Sequence, residues 1–205
     1  MKRLCQLTLV LLLFFFTSCY VSDDFIETEI EQVFIDNPKN VMTIDIIYVL
    51  PSENQNANTY RVNPADYLNK LNGSYFNRYD IGFKLGEVRT LINDELYDLT
   101  DNVGSETSTF FKETQESFRT DRMNIYIIKR SNTIAVAGIG KNRRVLITDE
   151  FLNKCTSAHE IGHALGLYHT EEKGNIMCKN KSTPRKEFTT QQLEIMIRNI
   201  NSNTI

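Results

Sequence analysis

Three histidines, one glutamate and two glycines stand close together near the end of this 205-residue chain. The run from residue 159 to 169 reads His-Glu-Ile-Gly-His-Ala-Leu-Gly-Leu-Tyr-His and contains every histidine of the chain. On a helix, His159 and His163 lie one turn apart on the same face, so both imidazoles can reach one metal ion. The spacing fits the pattern H-E-x-x-H-x-x-G-x-x-H, in which the histidines bind zinc.

The third histidine requires the chain to turn. If the helix continued, His169 would lie about 9 Å along the axis from His163, too far to bind the same ion. Gly166 can supply the turn, because glycine adopts the left-handed conformation without a side-chain clash and commonly ends helices. Three imidazoles leave one position of a tetrahedral ion open, which is typical of catalytic zinc. We therefore predict that His159, His163 and His169 bind Zn²⁺.

Glu160 follows the first histidine and is predicted to lie beside the ligand face. A carboxylate there can accept a proton from a water that the metal activates and then pass it to a leaving amine, which is peptide-bond hydrolysis. Two alternatives remain open. One is a catalytically inactive, zinc-containing domain that binds peptides or glycans, and the other is a hydrolase that acts on a non-peptide amide. A histidine-bearing helix without metal is disfavoured, since burying unpaired imidazoles is costly.

The motif resembles that of the metzincin clan of zinc peptidases, and the resemblance extends over most of the chain after the first 40 residues. The second signature of that clan is a methionine turn, which Gly174-Asn175-Ile176-Met177-Cys178 matches. By this resemblance Met177 would pack beneath the zinc ligands. Asp149-Glu150-Phe151, before the motif, is similar to the layout of the matrixins, whereas Thr170 and the cysteines are similar to the pappalysins. The resemblance implies a zinc endopeptidase with Glu160 as general base.

Two of the four cysteines of the chain, Cys155 and Cys178, fall in the predicted catalytic region. Cys155 comes just before the active-site helix and Cys178 just after Met177. In an oxidising compartment an even pair favours a disulfide, which here would join the two segments that frame the metal. Alternatively, one free thiol could bind zinc and inhibit the enzyme.

The elements that must position the motif are predicted to form an α/β domain. Residues 41–50 are apolar and rich in β-branched side chains and end before Pro51, which predicts a strand buried on both faces. Asn63-Pro64 opens an amphipathic helix that would continue to Phe76. The polar region between Asn93 and Arg122 favours no element. Further strands are predicted at 81–91, 123–129, 133–139 and 144–148, and a last helix is predicted to begin at Thr189 or Thr190.

The resemblance to metzincins implies how these elements are arranged. It implies a zincin-like fold, in which a twisted mixed β-sheet packs on an N-terminal helix and the active-site helix. A small C-terminal subdomain with the methionine turn and the final helix would follow. Residues 133–140 would form the edge strand above the cleft, where an extended substrate pairs antiparallel to it. We predict that residues 41–205 form this catalytic domain and that it acts as a monomer.

The first residues are predicted to direct export. Lys2 and Arg3 precede an apolar run over residues 9–16, which is too short to cross a bilayer and is typical of a signal peptide. Phe16-Thr17-Ser18-Cys19 resembles the lipobox of bacterial lipoproteins, in which the cysteine is acylated and the signal is cut before it. Residues 1–18 would be removed and Cys19 would anchor the protein in a membrane. An incidental cysteine near an ordinary cleavage site is the alternative.

Residues 19–40 are predicted to be the lipid anchor and an acidic tether. Ser22-Asp23-Asp24 resembles a surface-export signal of Bacteroidetes lipoproteins, so we expect the protein at the outer membrane or cell surface, with the periplasmic face as the alternative. Loss of residues 1–18 would leave 21 basic and 26 acidic residues, a net charge of −5. This charge gives no support to nucleic-acid binding. The expected partners are a protein or peptide substrate and the membrane.

Overall fold

The computed structural model describes residues 30–131, 135–137, 142–180 and 184–202. The predicted signal peptide, Cys19 and Ser22-Asp23-Asp24 lie outside these residues. Within the described part, no helix combines the length and apolar character needed to span a membrane. In chain order the elements are β1 (Asn40–Leu50), α1 (Pro64–Leu71), β2 (Ile81–Ile92), α2 (Asp94–Tyr97), β3 (Asp98–Leu99), α3 (Glu106–Glu113), β4 (Met123–Ile128), β5 (Arg130–Ser131), β6 (Ala135–Ala137), β7 (Arg144–Thr148), α4 (Cys155–Ala164) and α5 (Thr190–Asn201).

The main sheet is mixed, as predicted for an α/β fold of this kind. Its strands lie in the order β2-β1-β4-β7-β6. The first four run parallel to their neighbours, and β6 runs antiparallel to β7 at the sheet edge. The predicted strand over residues 144–148 is reproduced, and those over 41–50, 81–91 and 123–129 differ from the observed bounds by one residue. Of the predicted edge strand, Ala135–Ala137 falls within the described residues and lies where it was expected.

β1 is buried on both faces because it separates two apolar cores. Met42, Ile44 and Ile46 belong to the larger core, whereas Ile47 and Val49 belong to a smaller core on the opposite face. Alternate side chains of a strand point to opposite faces, and parallel strands covered on both sides are apolar throughout. The larger core includes side chains of α1, α4 and α5, and the smaller one includes side chains of α2 and α3.

α1 begins where the sequence predicts but ends earlier. The Asn63 side chain accepts hydrogen bonds from the backbone N–H groups of Ala65 and Asp66, and Pro64 occupies the first helical turn. The α-helical hydrogen bonding stops at Leu71 and a π-helical turn, Asn72–Phe76, follows. Tyr75 and Phe76, at the end of this wider turn, are buried like the apolar residues of α1. They therefore continue the apolar pattern of the helix in the sequence.

The polar region between Asn93 and Arg122 contains short elements that the sequence analysis did not assign. α2 is capped by the Asn93 side chain, which accepts a hydrogen bond from Leu96 N over 2.8 Å. β3 pairs in parallel with β5 in a separate two-stranded sheet. Elements of two to eight residues carry too few apolar positions for a period to be recognised.

The end of the predicted tether is part of the folded unit. Val33 N donates to Gly73 O over 2.9 Å, and Lys39 N donates to Asp80 Oδ1 over 2.9 Å. Ile30 packs against the larger core. Residues 30–39 are therefore held on the domain and do not act as a free tether. The hydrogen bond between Val33 and Gly73 joins two backbone groups, which side-chain composition does not reveal.

Candidate metal centre

α4 brings the predicted ligands together. The Nε2 atoms of His159 and His163 each lie 3.1 Å from Nε2 of His169. Zinc bound tetrahedrally at 2.0–2.1 Å separates two ligand nitrogens by about 3.3 Å, so this spacing fits one zinc ion. Among the described residues, these histidines form the one group of three side chains whose ligand atoms are close enough to share a metal. The ligand set predicted from the sequence is therefore brought together in the fold.

Two backbone carbonyls orient the imidazoles. His159 Nδ1 donates to Ile176 O over 2.7 Å, and His163 Nδ1 donates to Leu167 O over 2.7 Å. A carbonyl only accepts, so Nδ1 carries the proton in each ring and Nε2 keeps its lone pair. Both lone pairs face Nε2 of His169 at 3.1 Å, and in the tautomer of His169 with its proton on Nδ1 all three nitrogens can bind one cation. The donor set and its orientation therefore suit zinc.

Burial favours the neutral form of these histidines. It lowers the pKa of His159 to about 3, and the positive charge of Arg185 acts in the same direction. Burial also lowers the pKa of His163 and of His169, and Arg185 contributes to both effects. A neutral imidazole is the form that binds zinc, so protons compete weakly with the metal at pH 7.

Gly166 makes the turn that the ligand spacing requires. α4 ends at Ala164, and Gly166 has a φ of +95°, in the left-handed region. Gly166 N donates to His163 O over 2.8 Å. Asn199 of α5 covers the turn, since its Nδ2 donates to Leu165 O over 2.6 Å. A Cβ on Gly166 would lie 2.7 Å from that Nδ2 atom, so the position excludes a side chain for two independent reasons.

Met177 packs against α4. It is fully buried, and its Sδ lies 2.5 Å from the place where a Cβ on Gly162 would stand. Gly162 sits between the two helical ligands and allows this close approach. Gly162 was not among the residues predicted to shape the site, although a glycine inside a helix is itself a signal of close packing.

Glu160 lies on α4 immediately after His159 and is half-buried. The helix continues through His163, so the carboxylate is carried by the same rigid element as two of the ligands. The role of Glu160 as a general base stays a prediction.

Besides Glu160, a second charged residue, Arg185, lies near the predicted ligands, and its burial was not expected from the sequence. Arg185 is 7% exposed, and its Nη2 donates to Cys178 O over 2.6 Å. Its surroundings in the sequence are polar and basic, which is typical of an exposed loop. Only the folded chain reveals that this side chain is buried.

The predicted disulfide between Cys155 and Cys178 is wrong. Cys178 has a free, buried thiol, and no disulfide joins it to Cys155. Cys155 begins α4 and packs against the larger core, whereas Cys178 pairs with Thr170 beyond the third ligand. The two residues therefore belong to different packing environments. The group of potential metal ligands contains neither thiol, so the alternative of a zinc-bound cysteine gains no support.

Comparison with known proteins assigns the family. Residues 90–197 match the matrixin family model, a stretch that is more than half of the chain. The fold is similar to archaemetzincin from Methanopyrus kandleri, with 11% identity, a TM-score of 0.52, and coverage of 82% of this chain and 100% of that one. It is also similar to metalloproteinase-II from Bacteroides fragilis, with 12% identity, a TM-score of 0.52, and coverage of 89% of this chain and 59% of that one. No curated relative matches the chain by sequence.

The family match includes the histidine motif and the methionine turn, and the structural likenesses support the zincin-like fold that positions them. At identities of 11% and 12% those likenesses concern the fold alone. On the combined evidence of motif, geometry and family match, the chain belongs to the matrixin family of the metzincin clan of metallopeptidases.

Proposed function

We propose that this protein is a zinc-dependent endopeptidase that cleaves exported proteins or peptides outside the cytoplasm. One observation carries the proposal: the Nε2 atoms of His159 and His163 each lie 3.1 Å from Nε2 of His169, and backbone carbonyls orient two of the imidazoles. A structural zinc site usually uses four protein ligands, and three leave a position for reacting groups. The matrixin family match supports the same reaction class.

Four residues would have direct roles in the reaction. His159, His163 and His169 would hold zinc, which when bound polarises the carbonyl of the scissile bond and makes a water molecule more acidic. Glu160 accepts the proton of that water and transfers it to the leaving amine. Because Glu160 shares a rigid helix with two ligands, its carboxylate needs little reorganisation during the reaction. β6, at the edge of the sheet, offers a strand edge along which an extended peptide can pair.

The test is cleavage of an unbiased peptide library by residues 20–205, with zinc content measured in parallel. We expect cleavage that a chelator abolishes and added zinc restores. Glu160→Ala should keep a full equivalent of zinc and lose at least about a hundredfold in kcat/KM. Glu194→Ala, which removes an exposed carboxylate from α5, serves as the matched control and should cleave like wild type.

Other outcomes would favour the alternatives. A zinc-loaded wild type that binds peptides or glycans without cleaving any would indicate an inactive binding protein. Turnover restricted to non-peptide amides would indicate the other hydrolase class. Either result would contradict the endopeptidase proposal.

The proposal places the enzyme on a membrane through lipidation of Cys19, at the outer membrane or cell surface. The support is the sequence of the first 24 residues. Cell fractionation and fatty-acid labelling of wild type and Cys19→Ala test this part separately. We expect label and membrane association in wild type and loss of both in the variant. Unlabelled, soluble wild-type protein would contradict it.

A further inference from the structure

Arg185 is a buried cation attached to the segment that carries the third ligand. Its side chain is 7% exposed, and its Nε has no hydrogen-bond partner. The carbonyl that accepts from its Nη2 belongs to Cys178, which pairs with Thr170, the residue after His169. Thr170 N donates to Met177 O over 3.0 Å and Lys179 N donates to Thr170 O over 2.9 Å, so the strand-like segment that Arg185 contacts is hydrogen-bonded directly beside the third histidine.

Two other buried arginines show how many partners the fold of this protein provides for a buried guanidinium. Arg143 and Arg144 are 4% and 5% exposed. Arg143 donates to the carbonyls of three residues, and Arg144 donates to two side chains and a carbonyl and lies over the rings of two phenylalanines. Arg185 instead makes one hydrogen bond to the described part of the chain, and no carboxylate there forms an ion pair with it. The described part of the chain thus leaves most of its donors unused.

A buried guanidinium with unused donors favours an anion of matching shape. Burying an unpaired charge is unfavourable, and a bound anion removes most of that cost. The guanidinium presents its N–H groups in a planar fork that suits a carboxylate, which can accept two parallel hydrogen bonds. Bound zinc would add positive charge to the same region and strengthen the attraction for a negatively charged group.

We propose that Arg185 determines specificity by binding a substrate carboxylate next to the scissile bond, so that acidic peptides are preferred. This inference rests on the proposed function and narrows it to a substrate class. The carboxylate can belong to an Asp or Glu side chain or to the free C-terminus of a peptide. Both sources present the same planar anion to the guanidinium.

Matched peptide pairs test the preference and identify the source. In a sequence that the wild type cleaves, each position near the scissile bond carries Glu in one peptide and Gln in its partner. A further pair ends close to the scissile bond with a carboxylate or with an amide. We expect kcat/KM to be at least about tenfold higher for the acidic member of one pair. Ratios within twofold for every pair would overturn the inference and leave the endopeptidase proposal intact.

Two variants connect the preference to Arg185. Arg185→Met keeps much of the length of the side chain and removes its charge, so the acidic preference should disappear. Lys179→Met is the control, because Lys179 is an exposed lysine whose charge also lowers the pKa of His169. It should retain the preference. A preference that persists in folded, zinc-loaded Arg185→Met would contradict the assignment to this residue.

A binding measurement tests whether Arg185 binds the peptide carboxylate and does not require turnover. Zinc-loaded Glu160→Ala is titrated calorimetrically with the acidic peptide and with its Gln or amide partner, and we expect at least about tenfold tighter binding of the acid. Because zinc can itself bind a carboxylate, the titration is repeated with Glu160→Ala/Arg185→Met, where the difference should vanish. Equal binding by Glu160→Ala would overturn the inference even if Arg185→Met fails to fold. If no peptide is cleaved by wild type, the endopeptidase proposal fails and this titration still tests Arg185.

Discussion

The side-chain amides of Asn175 and Gln192 exchange hydrogen bonds in both directions. Asn175 Nδ2 donates to Gln192 Oε1 over 2.9 Å, and Gln192 Nε2 donates to Asn175 Oδ1 over 3.2 Å. Gln192 also belongs to the capping box of α5, where it accepts from Thr189 N over 2.9 Å. The first turn of α5 is thereby tied to the methionine turn.

The same amide pair leads to a metal ligand. Asn175 Oδ1 accepts from Met177 N over 2.8 Å. The intervening residue, Ile176, provides the carbonyl that orients His159. Partners behind a metal ligand set its orientation, and their loss typically lowers metal affinity by about 10- to 100-fold. Gln192 is thus a positioning residue for His159, although it lies 33 residues farther along the chain.

Gln192→Ala should therefore weaken zinc binding as well as the fold. We expect about tenfold lower zinc affinity and about 1–3 kcal/mol less stability, because buried Asn175 loses its amide partner. Competition with a chelator measures the affinity, and denaturant unfolding measures the stability. Gln191→Ala, at the exposed neighbouring position of α5, should change neither value. Unaltered zinc affinity in Gln192→Ala would limit the pair to a structural role.

Gly162→Ala should destabilise the site through Met177. The new Cβ would meet the Met177 Sδ at 2.5 Å, and displacing a fully buried side chain costs about 1–3 kcal/mol. Because the clash is with the Met177 side chain, Gly162→Ala should lower the free energy of unfolding less in a Met177→Ala background than in wild type. Unfolding free energies of the two single variants and the double variant form the cycle. Additive costs would show that Gly162 does not act through Met177.

Gly166→Ala should lower stability by more than the strain of placing alanine at a positive φ. Gly166 and Gly104 both have positive φ, +95° and +79°, but only Gly166 has a neighbour within 4 Å of the added Cβ. An alanine at either position is strained by about 1 kcal/mol, and at Gly166 it also displaces Asn199. We expect Gly166→Ala to lower zinc affinity as well as stability, and Gly104→Ala to lower stability alone. Equal zinc affinities for the two variants would contradict this.

The metal-free protein should lose stability below pH 6.5. Burial lowers the pKa of His159 from 6.5 to about 3, so the unfolded chain binds more protons than the folded one in that range. The contribution of neutral His159 is complete above pH 6.5 and is lost progressively as the pH falls toward 3. Denaturant unfolding in the presence of a chelator, between about pH 7 and 5, tests this while most carboxylates remain ionised. His159→Gln should show a shallower pH dependence, and an identical slope would contradict the assignment.

The three histidines that converge, the turn at Gly166 and the main strands could all be predicted from the sequence. Each depends on residues that are close in the chain. Two histidines four apart share a helical face, a glycine permits the left-handed turn, and a continuous apolar run identifies a strand covered on both sides. The methionine turn was found in the same way, since Met177 follows the motif at a short distance.

Tertiary structure alone decided which distant residues support the site. Burial of Arg185, pairing of Asn175 with Gln192, attachment of residues 30–39 and the separate environments of the two cysteines all depend on contacts between segments far apart in the chain. Such contacts leave no periodic pattern, because a polar residue looks the same in the sequence whether it faces water or a buried partner. The local sequence could therefore predict the candidate metal ligands, whereas the groups that orient them were revealed only by the packed fold.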